Sequence, residues 1–204
     1  STPSGERWCY ANVAGYFCFG NGNTRMQYLN GVSGYATDLN ATYTNQTRYC
    51  VPFADRLVIA DVYDQDTSAR NPWLMRWSKN GDPTDWTDTS AGWNEFMDSE
   101  EPIMGLGVYG DNLVVFRKTF FHLGSRSGQS TSPITFSSNV YGVGNCAPYS
   151  IIHAAGTVMW VGVDNFYMMN GSSATAIGDP VRKKFFDIVS DDDVEKVFGT
   201  NNIR

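Results

Sequence analysis

The stretch LGVYGDNLVVFRKTFFHLGS, Leu106 to Ser125, alternates apolar runs with turn residues: a strand, a turn at Gly110-Asp111-Asn112, a second strand to Phe116, and a third after another turn. Glycine beside aspartate or asparagine between two β-rich runs marks a hairpin, because these residues accept the positive φ that a tight turn needs. Nearly the same order returns at SIIHAAGTVMWVGVDNFYMMNGS, Ser150 to Ser172, with turns at Gly156-Thr157 and Asp164-Asn165. The chain therefore repeats a small sheet.

Working outward, two more units fit the pattern. Trp8 to Phe19 turns at Gly15 and runs into Gly20-Asn21-Gly22; Arg48 to Asp61 turns at Ala54-Asp55-Arg56 and leads through a polar loop to Trp73–Ser78 and the outer turn NGDPTDW. Taking Gly15, Asp55, Asp111 and Gly156 as equivalent turns, the period is about 40 to 56 residues, the range of four-stranded propeller blades. A lone sheet of this size leaves one apolar face bare, and neighbouring sheets must cover it. The pattern predicts an all-β chain, a β-propeller with blade-like units near residues 7–31, 48–86, 103–124 and 150–178; a β-sandwich is the competing arrangement. Four blades are the lower limit for closure, and Val197 to Arg204 reads as a strand entering a turn, so the expectation is a partial propeller of a longer chain, cut at both ends.

Composition agrees with a packed β body: 42% of the 204 residues are hydrophobic and only 18% are charged, against the profile of a disordered segment. A net charge of −6 argues against a nucleic-acid binder held by phosphate contacts, though not against a wall that DNA slides past. No apolar run approaches the roughly 20 residues of a membrane helix. Cys9, Cys18, Cys50 and Cys146 form no CxxC pair and read as buried free thiols, with a Cys9–Cys18 cross-strand disulfide as the alternative. The strongest helix signal is Ser190–Phe198, where Ser190 precedes three aspartates.

Chain order then adds a resemblance. Arg76-Trp77-Ser78, Gly81-Asp82-Pro83-Thr84-Asp85-Trp86, Ala91-Gly92, Gly105-Leu106 and Gly110-Asp111-Asn112-Leu113-Val114-Val115-Phe116-Arg117 resemble blocks of the β-propeller tail proteins of tailed bacteriophages. Gly144-Asn145-Cys146-Ala147-Pro148-Tyr149-Ser150-Ile151 resembles that family's G-C-x-A-P-x-S-I block, and Trp160 to Gly171 its W-L-G-x-D-G-F-Y-x-x-D-G strand pair. Asn165 and Asn170 depart from it, where the family often has glycine and aspartate. The resemblance runs from about Phe53 to Asp187 and is nearest to packaged-DNA stabilisation proteins and the tail-hub or nozzle proteins of short-tailed phages. It implies a virion tail component, assembled in the bacterial host cytoplasm as a ring of six copies against portal and adaptor proteins. Such a ring surrounds the DNA exit channel without sequence-specific binding, holds the genome in and releases it at ejection, with no cofactor and no catalysis.

The residues to watch are then structural: Trp77, Asp82, Asp85, Trp86, Gly110, Asp111, Cys146, Pro148, Trp160, Gly162, Asp164 and Tyr167, as turns and blade packing. Catalytic patterns fail one by one. WSKNGDPTDW misses the spacing of the Asp-box turn, and Glu100-Glu101 are adjacent, so in a strand they point to opposite faces. Acids near Asp61 and Asp64 read as loop charges. Gly124-Ser125-Arg126-Ser127-Gly128 has arginine where a nucleophile elbow needs serine. His122 and His153 read as core-edge histidines bonded to backbone, and Arg76, Arg117, Arg126 and Arg182 as inter-subunit ion-pair partners. From a different class, the aromatic content admits a carbohydrate-binding or carbohydrate-cleaving propeller for host-surface recognition, with Trp73, Trp86 or Trp93 stacking on sugar rings and Trp93 in a loop.

Overall fold

The structure is a computed structural model that describes residues 7–32, 34–39, 44–64, 67–137 and 139–201. Four small antiparallel sheets follow one another along the chain, each made of strands consecutive in sequence. The first is β1 (Cys9–Val13), β2 (Tyr16–Gly20), β3 (Gln27–Leu29) and β4 (Thr37–Asp38); the second is β5 (Thr44–Phe53), β6 (Arg56–Asp64), β7 (Ala69–Trp77) and β8 (Gly92–Glu95). The third contains β9 (Gly105–Tyr109), β10 (Asn112–Phe116), β11 (Phe120–Arg126) and β12 (Ile134–Phe136), with β13 (Val140–Tyr141) also on β11; the fourth is β14 (Ile152–Ala154), β15 (Thr157–Val161), β16 (Phe166–Asn170) and β17 (Ser173–Ala176). The fold is all-β, of the four-bladed β-propeller class.

The opening hairpin of each sheet shows why the repeat was visible. Its turn is Ala14-Gly15, Ala54-Asp55, Gly110-Asp111 or Ala155-Gly156, and in three of the four both turn residues have positive φ: 50° and 83°, 52° and 58°, 51° and 76°. Two such residues in a row give the turn whose twist matches that of the flanking strands.

The chain forms two compact units: Ser1–Ile103 with Arg126–Thr135, and Met104–Ser125 with Phe136–Arg204. In the first unit, Ala11, Val13 and Cys18 of the first sheet meet Cys50, Leu57, Ile59, Val62 and Leu74 of the second, closed by Met26, Leu39 and Trp86. In the second unit, Val114, Phe116, Phe121 and Leu123 of the third sheet meet Val158, Trp160, Tyr167 and Met169 of the fourth. Trp160 is the hub there, with ring centroids 4.8 Å from Phe116 and 5.9 Å from both Phe121 and Tyr167. Each unit is thus a pair of sheets hiding one another's apolar faces, as period-2 alternation requires.

Four expectations are corrected, while the four cysteines are free thiols as expected. The α-helix is α1 (Arg182–Ile188), while Asp191–Lys196 is only a 3-10 turn whose Ser190 hydroxyl bonds the Asp193 carboxylate (2.8 Å) and caps no N–H. Phe185 and Phe186 of α1 pack with Phe166 on the corner formed by Cys146, Ala147 and Val161, so tertiary contact decides what local capping signals did not. No Cys9–Cys18 disulfide forms, because the register sets Cys9 opposite Gly20 and Cys18 opposite Ala11. Trp93 is in strand β8, not a loop. Val197–Asn201 joins no sheet; Gly199 instead packs against Ser150 and donates its N–H to the Tyr149 carbonyl (3.0 Å). Arg117 is fully buried beside the Phe120 ring, which removes it from any surface.

Candidate functional site

In the second unit the block Gly144–Ile151 is wired to strand β15. Asn145 is fully buried: its Nδ2 donates to the Met104 carbonyl (3.1 Å), and its Oδ1 accepts the Ala147 N–H (3.1 Å) and the Ser150 hydroxyl (3.3 Å). Ser150 Oγ in turn accepts the Val161 N–H (3.0 Å). The Cys146 thiol donates to the Gly162 carbonyl (3.0 Å), and Trp160 Nε1 donates to the carbonyls of Gly144 (3.0 Å) and Val143 (3.1 Å). Pro148 opens a 3-10 turn, where its missing N–H costs nothing. A Cβ on Gly162 would lie 2.6 Å from Tyr167 Cε2, so only glycine lets that ring close in. The Tyr167 hydroxyl donates to Asp164 Oδ1 (2.7 Å); burial first, then this bond, pushes its pKa up to about 12.

Cys146, Pro148, Trp160, Gly162, Asp164 and Tyr167 therefore share one corner, whereas Gly110 and Asp111 sit in the exposed β9–β10 turn. Asn145 and Ser150 are its polar centre, and the sequence reading passed over both. The signal was an asparagine two residues before alanine, which is the spacing of an Asx-turn.

Trp77, Asp82, Asp85 and Trp86 lie in the first unit, on and after β7. Asp82 Oδ1 accepts the Thr84 N–H (2.9 Å), Asp85 Oδ1 the Thr87 N–H (3.0 Å), and Asp88 Oδ1 the Ser90 N–H (2.8 Å), three successive Asx-turns. The Thr87 N–H holds Asp85 below the usual carboxylate range, and the Ser90 hydroxyl does the same for Asp88. Trp86 enters the core, and Trp77 lies flat on Gly92, where a Cβ would come within 2.7 Å of Cζ2.

Beside this turn the second sheet opens into a groove of about 600 Å³. Cys50, Ile59, Arg76 and Trp93 are successive cross-strand partners, so one row crosses all four strands from the core to an indole that is 59% exposed. Along β7 and β8, Asn71 Nδ2 donates to Glu95 Oε1 (2.5 Å) and Arg76 pairs with Asp64 (3.6 Å); Asp88 and Trp86 also line the groove.

The remaining titratable groups have structural surroundings. Asp61 occupies a β-bulge at φ 53°, where Arg70 (2.7 Å) and Arg48 (3.5 Å) flank it; burial raises its pKa against both cations. His122 is buried edge-on to Phe120 (5.2 Å). His153 accepts the Val108 N–H on Nε2 (3.1 Å), a bond that only the neutral ring can make, and partial covering of the ring lowers its pKa from 6.5. Glu100 and Glu101 lie in the β8–β9 loop. Among the described residues no group of three or more histidine, cysteine or acidic side chains is placed to hold a metal ion, and no helix is long and apolar enough to cross a membrane.

No protein-family model and no curated protein matches the chain. Among solved structures it is similar to a protein of unknown function from Bacteroides caccae, at 11% identity and a TM-score of 0.47, over 86% of this chain and 61% of that one. The chain thus spans less than two thirds of that protein's length.

Proposed function

We propose that the chain is a structural component of a bacteriophage virion tail, a hub, nozzle or DNA-stabilising plug whose copies ring the DNA exit channel. In this role it works by shape: it retains the packaged genome, lets it pass at ejection, and turns over no substrate. One observation carries the reading. Two blocks of the resemblance, Gly144–Ile151 and Trp160–Gly171, are bonded to one another through Cys146, Ser150 and the Trp160 indole, so these two stretches meet in one buried corner. A net charge of −6 supports a conduit wall, because like charge keeps a passing polyanion from sticking. The partners are copies of the chain and neighbouring portal, adaptor and tail proteins; the place is the virion, after assembly in the host cytoplasm.

The test is an averaged electron-microscopy reconstruction of particles from the phage that encodes the chain, with the chain located by its fold. Density for a symmetric ring of it on the tail axis is the expected result. Its absence from that axis, or from the particle, ends the proposal.

A further inference from the structure

The groove at β7 and β8 is built for a ligand that stacks and hydrogen-bonds at once, and we propose that it binds a neutral oligosaccharide. Trp93 supplies the stacking face: its indole stands exposed at the end of a cross-strand row whose other members are covered. Trp86 also lines the groove, with most of its ring buried in the core of the first unit. Between them lie planar polar groups. Asn71 Nδ2 donates to Glu95 Oε1 at 2.5 Å, which ties the two side chains together and engages only one of the two carboxylate oxygens and one of the two amide N–H groups in that bond. Fixed carboxylate and carboxamide groups suit the paired donors and acceptors of vicinal hydroxyls, and a volume of about 600 Å³ lies within the range of ligand clefts.

Charge selects within that class. Asp64, Asp88 and Glu95 line the groove against the single arginine Arg76, which Asp64 already engages at 3.6 Å. Hydrogen bonds from Ser90 keep Asp88 ionised. An acidic lining repels sialylated, sulfated or phosphorylated chains and nucleic acid, and leaves uncharged sugars. The inference rests on the first unit alone and stands or falls apart from the tail reading.

The experiment screens the whole chain against an array of neutral and of sialylated or sulfated oligosaccharides, then titrates the neutral responders by saturation-transfer NMR. The expected result is saturable binding of a neutral oligosaccharide, about tenfold weaker in Trp93→Ala and near wild type in Trp93→Tyr, the loss one stacking contact predicts. Circular dichroism of both variants establishes that they fold; since Trp93 is exposed, its replacement leaves the core intact. The proposal is overturned if no neutral sugar saturates by about 10 mM, the edge of specific affinity. It is equally overturned if Trp93→Ala binds like wild type, or if anionic sugars bind best.

Discussion

Asn145 shows how much one side chain can organise. Replacing it by alanine removes the partner of the Met104 carbonyl, the Ala147 N–H and the Ser150 hydroxyl at a position that is itself fully buried. Each orphaned group costs about 1–3 kcal/mol, so Asn145→Ala should destabilise the chain by about 3 kcal/mol or more, read as a lower urea midpoint at unchanged slope. The cysteines give a second prediction at this scale. Burial pushes the Cys18 thiol up to about 12, and a hydrogen bond with Cys9 followed by burial raises Cys50 well above its ordinary value, so neither offers a thiolate near neutral pH. Cys9 is only half-buried. Iodoacetamide applied to the native chain should therefore label Cys9 well before Cys18 or Cys50, as peptide mass spectrometry will record; equal labelling of all three would contradict the packing described.

At the scale of elements, the hairpin turns hold stored strain. Ala14 and Ala155 sit at φ 50° and 51°, a region where an L side chain other than asparagine or aspartate is uncomfortable, and each precedes a glycine. Ala14→Asn and Ala155→Asn would supply the residue pair this turn prefers, and each should raise stability by about 0.5–1 kcal/mol in urea unfolding. The same turns explain what was legible in the sequence. A two-residue turn between strands is local, so Gly15, Asp55, Asp111 and Gly156 announce it without knowledge of the fold. The corner around Cys146 was half legible: its apolar members stand in recognisable order, but the roles of Asn145 and Ser150 arise from Met104 and Val161, which the chain brings in from far away. Strand β8 and helix α1 were not legible, since GWNE carries no alternation strong enough to mark a strand, and RKKFFDI becomes a helix only because Phe185 and Phe186 have Phe166 to pack on. The buried Arg117 was missed for the same reason: charge in a sequence says outside, and only an assembled interior can reverse it.

For the whole molecule the open question is what meets the outward face of the first sheet. Cys9, Ala11, Val13 and Cys18 point to the core, so their neighbours in β1 and β2 point away, and apart from Asn12 those neighbours are aromatic. Tyr10 pairs with Phe17 at 5.9 Å, Phe17 with Phe19 at 5.5 Å and Trp8 with Phe19 at 5.8 Å, while Trp8 and Tyr10 remain 59% and 66% exposed. A contiguous aromatic ladder of this kind is costly to leave in water. The proposed ring supplies its cover, because a closed ring is made by a head-to-tail contact in which one face of each copy meets a different face of the next. A charge placed in such a contact is buried without a partner, whereas the same charge on a free face is harmless. Phe17→Asp, at a position 37% exposed, should therefore leave the circular dichroism spectrum of the chain unchanged yet shift it from a discrete oligomer to monomer in analytical ultracentrifugation. Asn12→Asp, directly opposite Phe17 on the same outward face, should do the same. A wild-type chain that sediments as monomer at every concentration tried, or a Phe17→Asp chain that assembles normally, would show that this face is not where copies join.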